Sequence, residues 1–417
     1  MDEPGGRVEG LRIVHIVTAF QRYEDDVITP WLSALVSAQR ARGMDASILA
    51  PSYRGLGSQR IGGIPVERFR YAPRSWETLT HDETVPDRLR RSPAYAALLP
   101  SYVAAGLWAS ARSGRRHPDV VHVHWPVPHA LFGAAARFAS GGRAALVCTF
   151  YSVEISWVER RARWLRPFLT WSARTADAVT AISSATATRV RALVDRDVDV
   201  IPFTAGLATP GGEGLPALTG AGPLRLLFVG RLVQRKGVEY LIEAFGLVRE
   251  ARPVELTIVG EGEWKSTIQE AAKRAGVDRE VRFAGYVPER DLRGLYEACD
   301  IFVLPAVIDA KGDTEGLGVV LLEALGFERP VIGSDVGGIP DIVRPGETGW
   351  LVPPADPKAL AETILEIAAD PERARDVARG GRAIVERRFS LERVTEELET
   401  VYHAGLATRS RARAQGS

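Results

Sequence analysis

Residues 225–249 read RLLFVGRLVQRKGVEYLIEAFGLVR. The apolar run Arg225–Val229 has the length of a buried strand, and the apolar spacing after Gly237 predicts a helix over Val238–Arg249. A strand running through a short glycine-bearing loop into a helix is the repeating unit of a parallel sheet. The pattern recurs on both sides. Downstream, strands are expected at Leu256–Val259, Val281–Phe283, Ile301–Leu304 and Val331–Gly333, with helices over Glu263–Ala275, Glu289–Ala298 and Gly318–Gly326. Upstream, they are expected at Ile13–Val17, Ala46–Ala50, Val120–His124, Ala145–Thr149, Ala178–Ile182 and Val198–Ile201, with helices such as Trp31–Arg42 and Ser183–Leu193. This alternation predicts an α/β fold of doubly wound parallel sheets.

The chain of 417 residues has room for two or three domains. Residues 204–223, TAGLATPGGEGLPALTGAGP, are rich in glycine, proline and small side chains and read as a linker. The expected organisation is a first domain over 1–203, a second over 224–388, a helix over 389–408 returning to the first domain, and a disordered basic tail over 409–417. Helical patterns at Pro357–Ala369, Pro371–Arg388 and Leu391–Ala407 close the chain. Hydrophobic residues make up 46% and charged residues 25%, a globular balance, and the net charge of +1 points to no nucleic-acid partner. Cys148 and Cys299 are too far apart and too few for a disulfide framework, which fits a reducing compartment. No signal peptide is read at the start, and a cytoplasmic location is expected. Residues 92–111 are uncharged and long enough to span a bilayer, but Pro100 and the many Ala and Ser favour a helix buried against a sheet.

Each notable loop of the second half follows a strand, so all of them fall at the carboxyl edge of a sheet, where such folds bind ligands. In 228–237, FVGRLVQRKG, Gly230 permits a turn, and Arg231 and Lys236 add two cations before a helix N-terminus, the chemistry of an anion site. A second loop enters DTEGLGVVLLEALG, residues 313–326. Glu315 stands before the helix and Glu323 over a turn inside it, about 8 Å along the axis at 1.5 Å per residue. Gly316, Leu317 and Gly318 offer backbone amides between them. Amides and a helix dipole suit phosphate, and carboxylates accept from vicinal hydroxyls. A nucleotide sugar has that order of groups: sugar, diphosphate, ribose.

With GRLVQRKG, VGEGEW, VRFAGYVPERDL, EGLGVVLLEALGFERPVIGSDVGGIPDIV and GETGWLVPPADP in this order, the chain resembles the glycosyltransferases of the GT-B fold in the retaining family 4. The resemblance covers nearly the whole chain and is strongest over 224–355. It implies two Rossmann-like domains facing across a cleft. It implies that Arg231 and Lys236 bind the donor diphosphate and that Glu315 holds the donor sugar. Gly230 and the amides of Gly316, Leu317 and Gly318 would line the donor, Glu323 would hold the ribose, and the backbone at Tyr286 and Val287 would meet the base. The expected donor is a UDP- or GDP-sugar, the acceptor a hydroxyl, lipid-linked or on a glycan, and no metal is expected.

The front half departs from that pattern. After the first strand, TAFQRYEDDVITPW, residues 18–31, has no glycine pair; Phe20, Gln21 and Arg22 are acceptor-side candidates there, and Pro30 reads as a helix start. In CTFYSVEIS, Tyr151 stands where the family has a histidine close to the reacting sugar, which makes it a catalytic candidate, and Glu154 keeps the acid that follows, on the acceptor side. Tyrosine retains a hydrogen-bonding tip but does not titrate near neutrality. His122 and His124 in VHVHW share a strand face; with no third ligand evident, they read as core or cleft histidines, His124 on the acceptor side. The Asp-x-Asp in DRDVD, residues 195–199, reads as a surface turn. Residues 157–171, WVERRARWLRPFLTW, read as a basic aromatic helix that leaves room for peripheral membrane contact at the inner face. Two alternatives remain beside hexosyl transfer: a weakened nucleotide-sugar binder, because of Tyr151, and a GT-B-fold epimerase.

Overall fold

Strands covered on both faces lose the polar alternation of a half-exposed sheet, and Val120–His124 and Ala145–Phe150 are buried at every position. The computed structural model describes residues 10–24, 26, 28–205 and 222–415. Two α/β units emerge. The first holds the chain to Ile182, Thr186–Ile201 and everything from Val394; the second holds Ser183–Ala185 and Pro202–Arg393. Most of the expected linker, residues 206–221, lies outside the described residues.

The first unit is built on β1 (Arg12–Ile16), β2 (Asp45–Pro51), β3 (Gln59–Ile61), β4 (Ile64–Phe69), β5 (Val120–His124), β6 (Ala145–Phe150), β7 (Ala178–Ala181) and β8 (Asp199–Val200). Their order across the sheet is β3-β4-β2-β1-β5-β6-β7-β8. Every neighbour is parallel except β3 and β4. Neither strand of that hairpin is among the expected ones: the three residues of β3 are too short to show a period, and β4 was passed over. Its turn is Gly62-Gly63, with φ of 53° and 78°, as a tight hairpin requires.

The second unit carries β9 (Leu224–Val229), β10 (Val254–Val259), β11 (Val281–Gly285), β12 (Ile301–Leu304), β13 (Val331–Ser334) and β14 (Trp350–Val352). The sheet is parallel throughout in the order β11-β10-β9-β12-β13-β14. Here too the short last strand escaped the sequence reading. The strand order reverses at β9/β12 in this sheet and at β1/β5 in the other; such reversals are the switch points beyond which doubly wound sheets bind ligands.

Two segments differ from expectation, and a third bears it out in part. The basic tail continues the last helix, Leu391–Gln415, because Ala and Arg are strong helix formers and no proline interrupts them. Arg409 Nε also donates to Gly142 O at 2.7 Å. Residues 157–171 do not form one helix: helices Val153–Arg161 and Arg166–Thr175 flank a short turn, with Pro167 at the start of the second. The uncharged stretch 92–111, expected as a helix buried against a sheet, becomes a turn and then the helix Leu99–Gly114, which packs mainly on the helix Pro126–Ala139 and also meets β2 and β4. Gly106 seats Phe132 so closely that a Cβ would lie 2.2 Å from its ring. Among the described residues, no helix is long and apolar enough to cross a membrane.

Candidate functional site

In the second unit, the loops flanking the switch point are residues 230–237 after β9 and 305–318 after β12. Backbone hydrogen bonds lock them to their neighbours: Leu232 N donates to Glu261 O (3.0 Å), Val307 N to Arg235 O (2.9 Å), and Gly338 N to Glu315 O (3.1 Å). Gly237 sits at φ +62°, where a Cβ would lie 2.0 Å from Pro305 O; only glycine lets the two loops close. Gly337, at φ +61°, would collide in the same way with Glu315 O. The glycine pair Gly337-Gly338 within GSDVGGIPDIV, for which no role was expected, is the support of the Glu315 loop.

The centre of this constellation is an ion pair. Lys236 Nζ donates to Glu315 Oε2 at 2.5 Å, with the side chains only 10% and 13% exposed. Burial would by itself raise the Glu315 carboxyl, but Lys236, Arg235 and the Gly316 amide together hold it below the usual carboxylate range. Arg231 is exposed, and its side chain has no hydrogen-bond or ion-pair partner among the described residues. The helix Val319–Gly326 begins after Gly318, whose φ is 94°. Leu317 turns into the core, 2% exposed, so its backbone is what it offers at this loop. Glu323 is half-buried and accepts from Tyr296 Oη at 2.8 Å. Tyr296 is fully buried, and no local pattern signals its part, since it lies inside an ordinary amphipathic helix. Gly230 stands at the end of β9, and Tyr286 and Val287 follow β11, with Tyr286 70% exposed. Arg231, Lys236, Glu315 and Gly316–Gly318 thus share one corner of the sheet edge. Uncompensated positive charge, the backbone amides of Leu317 and Gly318 and a pinned carboxylate can hold a diphosphate beside a hydroxyl-bearing group.

The first unit gathers a different cluster. His15 on β1 joins His122 and His124 on β5, all three buried. Gln39 Nε2 donates to Tyr402 Oη (3.0 Å), which leaves Gln39 Oε1 to accept from His15 Nε2 (2.9 Å). His15 Nδ1 must then accept from His124 Nε2 (3.0 Å), and His124 Nδ1 from Tyr151 Oη (2.5 Å). On the other branch, Tyr402 Oη donates to His122 Nδ1 (2.9 Å), and His122 Nε2 donates to Thr149 Oγ1 (2.6 Å). One glutamine thereby fixes the tautomers of three histidines. Burial lowers His15 to about 4 and His122 and His124 well below the ordinary 6.5.

His15 is the third histidine that the sequence did not place beside the other two, and one nitrogen from each lies within 4.8 Å of the others. Every ring nitrogen of the three has a protein hydrogen-bond partner. The cluster is therefore arranged as a closed hydrogen-bonded core, unlike an open set of ligands.

Tyr151 is 5% exposed, with its ring 4.4 Å from that of Trp125. Its hydroxyl is directed to His124, so the side chain expected to act on a substrate is committed to this network. Glu154 Oε1 accepts from Tyr151 N at 2.7 Å, while Oε2 has no partner among the described residues. Burial pushes that carboxyl up to about 7. Of the acceptor-side candidates, Phe20 is fully buried and belongs to the core, a correction to its expected place at a binding surface. Gln21 Nε2 donates to Asp26 O, and Arg22 makes a two-pronged pair with Asp26 at 2.7 and 2.9 Å. Both hold their own loop together.

Two family models match: Glycosyltransferase Family 4 over residues 31–203 and Glycosyl transferases group 1 over residues 219–384. Among curated proteins, the chain is 40% identical over 173 residues to the GDP-mannose-dependent monoacylated alpha-(1-6)-phosphatidylinositol monomannoside mannosyltransferase of Corynebacterium glutamicum, covering 41% of this chain and 45% of that protein. The aligned stretch spans less than half the length of each of the first curated relatives it matches. Among solved structures, sucrose-phosphate synthase of Thermosynechococcus elongatus superposes with a TM-score of 0.71 at 22% identity over 96% of this chain and 99% of that one. Anabaena Alr3699/HepE in complex with UDP and glucose does so with a TM-score of 0.67 at 18% identity, over 94% and 98%. These likenesses establish the fold.

Proposed function

Because this chain belongs to the GT-B glycosyltransferases, matched in both halves by the family 4 and group 1 models, we propose that it transfers a hexose from a UDP- or GDP-sugar to a hydroxyl acceptor. The transfer proceeds with retention of anomeric configuration and without a metal. The observation that carries this reading is the buried Lys236–Glu315 pair beside the unpaired Arg231 at the β9/β12 switch point. Arg231 and Lys236 neutralise the diphosphate, Glu315 accepts from the sugar hydroxyls, and Glu323, oriented by Tyr296, accepts from the ribose. Breaking the anomeric bond builds negative charge on the leaving phosphate, and positioned cations hold that charge more strongly than they hold the ground state. The GDP-mannose named for the Corynebacterium glutamicum relative and the UDP in the Anabaena neighbour support a nucleotide-linked donor. The relative's phosphatidylinositol acceptor and the exposed Trp164 amid Arg160, Arg161, Arg163 and Arg166 support a lipid-linked acceptor met at the cytoplasmic face of a membrane.

A thermal-shift panel of UDP, GDP and ADP with their sugars tests the donor. Arg231→Ala is expected to weaken diphosphate binding and to lower turnover by about 10²–10³. Unchanged binding and turnover in that variant would sink the assignment. Turnover is expected to survive a chelator; loss that a divalent ion restores contradicts metal independence. A second reading, a nucleotide-sugar binder without transfer, draws on the inward commitment of Tyr151, and tight diphosphate binding with no transfer or donor hydrolysis would select it.

A further inference from the structure

The loops after β2 and β4, on the carboxyl edge of the first sheet, meet around a cavity of about 490 Å³ whose lining includes Arg54, Arg74, Thr78, Asp82, Arg88 and Tyr95. That volume falls within the range of small-molecule sites. Its walls are held from below by Glu77, which is fully buried. Glu77 Oε2 accepts from Ser52 Oγ and Gly55 N, both at 2.8 Å, and Oε1 accepts from Arg70 Nε at 2.6 Å. One carboxylate therefore ties the two loops together. The chain takes two left-handed residues in succession to get there, Arg54 at φ 48° and Gly55 at φ 86°. A Cβ on Gly55 would lie 2.7 Å from Arg74 Cγ, so the glycine makes the space that Arg74 fills. A non-glycine residue held at positive φ is kept there by its surroundings.

The charges inside are unequal. Arg88 is compensated: its Nε lies 2.9 Å from Glu83 Oε1 and its Nη2 donates to Asp82 Oδ2 at 3.2 Å. Tyr53 Oη also donates to Asp82, at 2.8 Å. Arg54 and Arg74 have no ion-pair partner among the described residues, and the Arg54 guanidinium lies 5.4 Å from the Tyr53 ring centre. The hydroxyls of Thr78 and Tyr95 are 2.8 Å apart and complete a polar wall.

We propose that this cavity binds a phosphate-bearing ligand. Two uncompensated guanidiniums match the charge of a phosphate monoester dianion, and their planar forks match its oxygens. The space exceeds a bare phosphate and leaves room for an organic group beside Thr78 and Tyr95. The inference does not rest on the donor reading, since Arg231, Lys236 and Glu315 belong to the other unit.

Calorimetric titration of the full chain with glucose 1-phosphate, in wild type, Arg231→Ala, Arg54→Ala and Arg74→Ala, tests it. A parallel arm measures co-sedimentation with vesicles of phosphatidylcholine alone or in equal parts with phosphatidic acid. Saturable binding should persist in Arg231→Ala and weaken about tenfold or more in each of the other two variants. Both arginines are exposed, so their thermal melts should match wild type. Capture on phosphatidic acid vesicles that needs Arg54 and Arg74 assigns the phosphate to a lipid; binding of glucose 1-phosphate alone assigns it to a soluble ligand. Binding lost in Arg231→Ala but kept in Arg54→Ala and Arg74→Ala overturns the proposal, as does binding of neither probe.

Discussion

Glu154 is a buried acid whose second oxygen lacks a partner among the described residues, and this has a measurable cost. Its folded pKa of about 7 stands above the ordinary 4.5, with burial as the first cause, so the unfolded chain ionises first as pH rises. Folding free energy tied to this group is intact below the unfolded value and is eroded as pH climbs through about 7, by up to about 3 kcal/mol. Glu154→Gln is therefore expected to stabilise the protein above about pH 7 and to change little in mild acid, read from denaturant melts across that range. A gain that is the same at every pH would contradict the buried-acid account. His15, His122 and His124 act with the opposite sign: their lowered values favour folding above 6.5 and penalise it as pH falls. Comparing variant with wild type at each pH cancels their contribution.

At the scale of the element, the helix Leu391–Gln415 is docked by more than its apolar stripe. Tyr402 Oη accepts from Gln39 and donates to His122 in a buried setting. Tyr402→Phe removes one oxygen and leaves both partners unsatisfied, which should cost about 1–3 kcal/mol. The loss appears as a lower melting temperature of the first unit, and an unchanged melt would show that water replaces the hydroxyl. The same oxygen helps to hold His122 as the donor to Thr149. In the second unit, the short helix Val319–Gly326 depends on Gly337 for the position of the loop before it. Gly337→Ala meets Glu315 O at positive φ and should weaken donor binding without touching the donor, as titration with a nucleoside diphosphate would read.

At the scale of the whole molecule, the chain leaves the second unit at Arg393 and spends its last residues in the first. Val394, Leu398, Val401 and Tyr402 are buried there. Fully burying such side chains is worth about 1.5–3 kcal/mol each, against a typical total stability of about 5–15 kcal/mol. A chain ending at Arg393 should lose the cooperative melt of its first unit while its second unit still binds nucleoside diphosphate. A truncated chain that melts as wild type, or that loses both units together, would contradict this division.

The sequence by itself determined the strands other than β3, β4 and β14, most of the helices and the edge on which the loops lie. Their periods are local properties, so Val238–Ala251, Glu289–Ala298 and Pro371–Arg388 could be read within a residue or two. It also marked Arg231, Lys236, Glu315 and Glu323, because charge in glycine-rich loops and in an otherwise apolar helix stands out. It could not mark the three-residue β3 and β14, which are too short for a period. Only the tertiary structure decided which side chains meet. Lys236 and Glu315 are 79 residues apart, and Gln39 and Tyr402 are 363 apart. His15 reaches His124 because β1 pairs with β5, and Arg54 reaches Arg74 because Glu77 draws their loops together. Such meetings follow from strand order and loop closure, which are set by pairing between distant segments and leave no periodic trace in the chain.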